Sequence, residues 1–178
     1  MLNKKHVPNL LTFARVLAVP VALPLMEIGA RPLFVLFVLA SITDFFDGYL
    51  ARKWNATSRL GTMLDPIADK LLVALMLLYL IVAGHAPLLP IAVILLREIY
   101  IAGLREYLAL NAIPLPVSKG GKLKTTVQML AVAAMLGALA FIFQPAWQAG
   151  VVLLWIAAAL ALLTGAEYTY KAWPNLKN

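Results

Sequence analysis

The chain has four aspartates, Asp44, Asp47, Asp65 and Asp69, and they fall as D-x-x-D-G-x-x-A-R, eight residues, then G-x-x-x-D-x-x-x-D. The surrounding stretches are otherwise strongly apolar. A carboxylate placed in hydrocarbon costs about 2.5–3.5 kcal/mol, so four in one neighbourhood require compensation. If both stretches are helical, Asp44, Asp47, Gly48, Ala51 and Arg52 share one face at i, i+3, i+4, i+7 and i+8. Gly61, Asp65 and Asp69 form a second stripe at i, i+4 and i+8 that can look at the first. Four facing carboxylates repel unless cations lie between them. Oxygen-only donors suit Mg²⁺, Mn²⁺ or Ca²⁺ rather than zinc or copper, and two divalent ions would balance four charges.

Elements able to carry such stripes must be long and apolar. Of 178 residues, 63% are hydrophobic and 13% charged, far from ordinary soluble usage. Six stretches reach the roughly 20 residues that a ~30 Å hydrocarbon core requires: about 9–28, 33–53, 61–82, 88–107, 124–143 and 148–170. Breaks fall at Gly29–Pro32, Asn55–Ser58, Gly84–Pro87, the longer connection from Asn111 to Gly121, and Gln144-Pro145. The expected fold is all-α: one polytopic membrane domain over residues 1–178, a bundle of six transmembrane helices with a short N-terminal juxtamembrane segment. Lys4 and Lys5 before an apolar run resemble a signal peptide, but Pro20, Pro24 and Glu27 leave no clean cleavage site, so this run is read as an uncleaved first span. The absence of Cys excludes disulfides and thiolate metal sites without identifying a compartment.

Charge sets the expected orientation. With the N-terminus inside, eleven cations lie on the cytoplasmic side, at positions 4, 5, 52, 53, 59, 105, 119, 122, 124, 171 and 177, and Arg31 lies outside. This reading places the protein in the inner membrane as a multi-pass protein with both termini in the cytoplasm. Asp44 and Asp69 then sit at matching depths, roughly 12–14 Å from the inner ends of their spans, and the site opens to the cytoplasm. The net charge of +7 comes from segment ends with no aromatic-interleaved basic patch, which argues against nucleic acid and for anionic lipid or a phosphorylated substrate.

The pattern from Asp44 to Arg52 and from Gly61 to Asp69 resembles the signature of the CDP-alcohol phosphotransferases, with no position departing from it. The likeness extends from about Pro8 to Gln128. Flanking segments P8-N-L-L-T-F-A-R15, R97-E-I-Y-I-A-G-L-R105-E and V117-S-K-G-G-K-L-K-T-T-V-Q-M129 look most like the branch of that family that uses glycerol 3-phosphate. The resemblance implies a reaction in which CDP-diacylglycerol and sn-glycerol 3-phosphate give phosphatidylglycerol phosphate and CMP. It implies Asp44, Asp47, Asp65 and Asp69 as ligands of two Mg²⁺ or Mn²⁺ ions, with Asp69 also the general base on the acceptor hydroxyl, and it suggests a homodimer. Paired metals suit such a displacement because charge builds on both the attacking and the leaving oxygen.

By the same resemblance, Gly48, Arg52 and Ser58 contact the CDP moiety, with Asn9 and Thr12 reaching it from span one. Gly48 lets a base or diphosphate approach the backbone, and Gly61 could pack near span two or leave room for the nucleotide; ordinary small-residue packing explains either glycine equally. Acceptor phosphate is expected on Arg97, Arg105, Lys122 and Lys124, gathered at the inner end of span four, the following loop and the start of span five. Lys119 and Lys122 also fit plain positive-inside residues. Arg97 lies deep enough to need a polar partner, with Glu98 and the aspartates as candidates. Arg15 could answer an aspartate, a phosphate or a headgroup, and Lys70 a neighbouring helix or a headgroup.

Metal ligation by His6 or His85 is not expected, and Trp54, Trp147 and Trp173 read as interfacial anchors. Two other functions share some of these features. One is a CDP-alcohol transferase using inositol phosphate, serine or phosphatidylglycerol. The other is a divalent-cation transporter, for which an arginine beside the ligands has no use.

Overall fold

The computed structural model describes the backbone of residues 7–54, 59–114, 116 and 118–176, and the side chains of these apart from 7–12, 45–54, 59–63, 65, 66, 175 and 176. Six helices follow one another: α1 (Val7–Ile28), α2 (Ala30–Trp54), α3 (Arg59–Val82), α4 (Leu88–Leu110), α5 (Lys119–Phe141) and α6 (Gln144–Leu176). The described residues contain no strand.

The helix ends follow from local chemistry. Gly29 takes φ +127° between α1 and α2, and Gly84 takes φ +71° after α3, backbone conformations that glycine adopts without a Cβ penalty. At the end of α4 the Asn111 side chain donates to the Tyr107 carbonyl at 2.8 Å, and Ile113 N–H returns to Leu108 O at 2.9 Å, satisfying carbonyls that would otherwise be orphaned. Ile142, at φ 55°, closes α5. Pro145 then stands in the first turn of α6, where its missing N–H costs nothing. The expected break between the last two helices thus falls at Ile142-Phe143, and Gln144-Pro145 opens the last helix.

A second difference concerns α5. The residues 119–121, expected to be loop, belong to its first turn. Ser118 caps the helix by accepting from Gly121 N–H at 3.1 Å, and this cap outweighs the pair of glycines at 120 and 121. Lys119 and Lys122 are therefore helical.

Consecutive helices run in opposite directions. At one end, Arg31 at the start of α2 donates to Ala140 O near the end of α5 (2.8 Å), and Trp147 in α6 donates to His85 O between α3 and α4 (2.9 Å). At the other, Tyr168 of α6 meets Ser118 before α5 and Arg105 late in α4.

One apolar cluster draws buried residues from all six helices, among them Ala22, Phe37, Met76, Ile94, Met135 and Leu154. The α5–α6 pair is the closest-packed: a Cβ on Gly150 would lie 3.1 Å from the Met135 nitrogen and 3.2 Å from the Ala131 carbonyl. A smaller cluster of Ile101, Leu104, Leu108, Tyr168 and Ala172 joins α4 to α6. α1 packs against both α2 and α3. Among the described residues two helices, Lys119–Phe141 and Gln144–Pro174, are by length and composition apolar enough to cross a membrane. In α4 the charges of Arg97, Glu98, Arg105 and Glu106 dilute the apolar run.

Candidate active site

α1 carries the residue that joins the two aspartate-bearing helices. Arg15 is only 2% exposed. Its Nη1 lies 3.0 Å from Asp44 Oδ1 on α2 and its Nε 3.3 Å from Asp69 Oδ1 on α3. The carboxylates themselves remain 45% and 42% exposed at the side chain. The guanidinium thus backs the pair from inside the helix packing, and the outer faces of both carboxylates stay open to ligands.

They open into a cavity of about 580 Å³ between α2, α3, α4 and α5. Its lining also includes part of a cationic cluster around one carboxylate. Glu98 Oε1 accepts from Lys124 Nζ at 2.7 Å and from Arg97 Nη1 at 2.8 Å, while Lys70 Nζ stands 3.6 Å from Oε2. Lys124 is 2% exposed. Three cations against one carboxylate leave the cluster with an excess of two positive charges, and Lys70 and Lys124 of the three line the cavity, a setting that favours an anion. The cavity therefore holds both the aspartate pair and the buried Lys124, and the rest of its lining is mostly apolar: Phe37, Leu72, Leu95 and Met129 among others.

The other expected phosphate ligands lie elsewhere. Arg97 also donates to Thr164 Oγ1 at 3.1 Å, and its guanidinium sits 5.6 Å from the centre of the Tyr168 ring. Arg105 stacks on that ring at 5.1 Å and donates to the tyrosine hydroxyl at 3.1 Å. Tyr168 in turn accepts from the Ser118 backbone N–H at 2.7 Å, so it pins α4, α5 and α6 together. Arg97 and Arg105 flank Tyr168 and neither lines the cavity; Lys122 is exposed on the first turn of α5.

Ser58 lies outside the described residues, and so do the side chains of Asn9, Thr12, Asp47, Gly48, Arg52, Gly61 and Asp65. Their backbones place Asn9 and Thr12 on α1, Asp47, Gly48 and Arg52 on α2, and Gly61 and Asp65 on α3. Among the described residues no three carboxylate or imidazole groups converge; the described pair is Asp44 and Asp69. Asp47 follows Asp44 by three residues and Asp65 precedes Asp69 by four, spacings that keep each on its partner's helix face. An all-oxygen donor set, half open to a cavity, is chemically suited to Mg²⁺ or Mn²⁺.

Two residues of the cavity went unassigned in the sequence. Glu98 was legible only as a possible partner of Arg97, although it organises three cations. Gln128, buried on α5, was not singled out; the signal available was its position one turn after Lys124.

An all-helical bundle bearing D-x-x-D-G-x-x-A-R and G-x-x-x-D-x-x-x-D on neighbouring helices around a charged cavity defines a class of transferases that act on CDP-linked alcohols. The chain belongs to the CDP-alcohol phosphatidyltransferase family, whose profile matches residues 5–163. It is 46% identical over 169 residues to a Rickettsia typhi protein, covering 92% of this chain and 95% of that one. It is 38% identical to proteins of Cereibacter sphaeroides (97% of each chain) and Salmonella typhimurium (96% of this chain, 97% of that one). All three carry the name CDP-diacylglycerol--glycerol-3-phosphate 3-phosphatidyltransferase.

Proposed function

We propose that this chain transfers the phosphatidyl group of CDP-diacylglycerol to sn-glycerol 3-phosphate, giving phosphatidylglycerol phosphate and CMP. The observation that carries the reading is the single cavity lined both by Asp44 and Asp69 and by the buried Lys124. The names of the relatives supply the substrate pair. In this reading Asp69 accepts the proton of the acceptor hydroxyl. That oxygen then forms a bond to the phosphorus bearing diacylglycerol, and the bond from this phosphorus to the oxygen of CMP breaks. Arg15 holds Asp69 in place for the task, and Lys124 meets the acceptor's phosphate. Arg97, Arg105 and Lys122 would act on the acceptor only from outside the cavity.

Asp44, Asp47, Asp65 and Asp69 would hold two Mg²⁺ or Mn²⁺ ions, which when bound neutralise charge on the pyrophosphate and on the attacking oxygen. Asn9, Thr12, Gly48, Arg52, Ser58 and Gly61 would face the CDP moiety.

The setting we infer is a single domain of six membrane-crossing helices, with the site and both termini facing the cytoplasm. Support comes from the many large apolar side chains left on the bundle's outside, such as Phe13, Val35, Leu96, Ile99, Leu130 and Leu163, which a bilayer would cover. A homodimer is part of the same proposal, and the mass of the solubilised protein checks it.

CMP release by the purified protein, measured with glycerol 3-phosphate, inositol phosphate, serine and phosphatidylglycerol as acceptors, tests the reading. A preference for any acceptor but the first would replace it.

A further inference from the structure

One group in the cavity is left out of the chemistry above. Gln128 is 6% exposed, and its Oε1 is buried without a hydrogen-bond partner among the described residues. The neighbouring polar groups are engaged. Ser41 Oγ donates to the Phe37 carbonyl at 2.8 Å and Thr125 Oγ1 to the Gly121 carbonyl at 3.1 Å. Lys124 and Lys70 turn to Glu98, and Asp44 and Asp69 meet Arg15. Buried acceptors are rarely left unmade, because the desolvation of the group is then uncompensated. An orphaned oxygen in a cavity wall is therefore waiting for a donor from a ligand.

Its location narrows the donor. Gln128 follows Lys124 by one turn, so both stand on the same face of α5, about 6 Å apart along the axis. It also lies nine residues into α5, while Asp44 lies ten from the end of α2 and Asp69 ten from the start of α3. All three helix termini are at the same end of the bundle, so Gln128 is level with the aspartates, about 14–15 Å in. A ligand with its phosphate on Lys124 and a hydroxyl at Asp69 passes this oxygen.

We infer that Gln128 is a specificity-determining residue, its Oε1 accepting a hydrogen bond from the hydroxyl of the acceptor that does not react. This rests on the acceptor reading above and adds to it. In sn-glycerol 3-phosphate that group is the hydroxyl on C2, next to the attacking C1 hydroxyl. A site built to receive a hydroxyl rejects the analogue that lacks it, because the buried partner is then stranded.

The test compares glycerol 3-phosphate with 3-hydroxypropyl phosphate, which keeps the phosphate and the attacking hydroxyl and lacks only the C2 hydroxyl. The full-length protein in detergent, with CDP-diacylglycerol and Mg²⁺, is expected to prefer glycerol 3-phosphate by about 10- to 100-fold in kcat/KM. In Gln128→Met, a substitution of similar shape with no acceptor oxygen, that preference should collapse to within about twofold. Its melting temperature should not fall, since an unpartnered polar atom has been removed. Equal losses for both acceptors with the preference intact, or a lowered melting temperature with the preference intact, would overturn the inference and make Gln128 a structural residue. No preference in the wild-type protein overturns it as well, leaving the glycerol 3-phosphate reading standing. Absence of CMP release with either phosphorylated acceptor instead removes that reading, and this inference with it.

Discussion

The guanidinium of Arg15 reaches Asp44 at 3.0 Å from inside the helix packing, buried where the carboxylate is half open. With Asp69 at 3.3 Å on its other side, one fixed positive charge serves two carboxylates on different helices. Breaking a buried pair costs about 3–5 kcal/mol, and the openness of both carboxylates reduces this to about 1–3 kcal/mol. Arg15→Gln should therefore melt several degrees lower in detergent after chelation, and added Mn²⁺ should recover much of the loss by restoring cationic charge between the carboxylates. A variant whose melting temperature ignores Mn²⁺ would show that the aspartates do not form a cation site.

Each of Asp44→Asn, Asp47→Asn, Asp65→Asn and Asp69→Asn is expected to lose CMP release by at least about 100-fold, while the protein still inserts and purifies. The basis is that an amide keeps shape but neither neutralises a cation nor takes a proton. Near-normal turnover in Asp65→Asn would sink the shared four-carboxylate site.

Lys124 and Arg105 should part company. Lys124→Gln removes a cation from the cavity wall and should raise the KM for glycerol 3-phosphate about 10- to 100-fold, leaving that for CDP-diacylglycerol nearly constant. Arg105→Gln removes one of the partners of Tyr168 and should register mainly as lowered thermal stability. An acceptor KM rising equally in both would bring Arg105 back as a direct phosphate ligand.

Because the chain has no native Cys, single cysteines report membrane sidedness cleanly. Cysteines at positions 119 and 171 should label only from the cytoplasm, and cysteines at 31 and 85 only from outside. Labelling of position 119 from the outer face reverses the orientation and separates the site from cytoplasmic CDP-lipid.

Gly150→Val should jam α5 against α6, since the added side chain would start 3.1–3.2 Å from Met135 and Ala131 backbone atoms. Overpacking of this kind costs about 1–3 kcal/mol. Gly103→Ala, where nothing lies within 4 Å, is the control and should melt as the parent does or slightly higher.

Much of this architecture was legible because it rests on local rules. Apolar runs and the breakers Gly29 and Gly84 located the helices, and the i, i+3 and i, i+4 spacings of the aspartates announced a site. The start of α5 was misjudged because Gly120-Gly121 signals a break, whereas the Ser118 cap that overrides it acts through one side chain. The Tyr168 junction was hidden for a different reason: an aromatic near a helix end reads as a membrane anchor until the arginines of another helix are seen to stack on it. Gln128 carried no pattern of its own. Only the tertiary packing, which pairs every neighbouring polar group and leaves this one over, singles it out.

The contacts of Arg15 with Asp44 and Asp69 close within the first 69 residues, whereas the cationic cluster needs Glu98 and Lys124. In the order in which a ribosome delivers the chain, the aspartate pair can be tied together while α4 and α5 have yet to be made. The nascent protein thus passes through a stage in which Arg15, Asp44 and Asp69 have been made while Lys124 has not, and the cavity is complete only when α5 emerges.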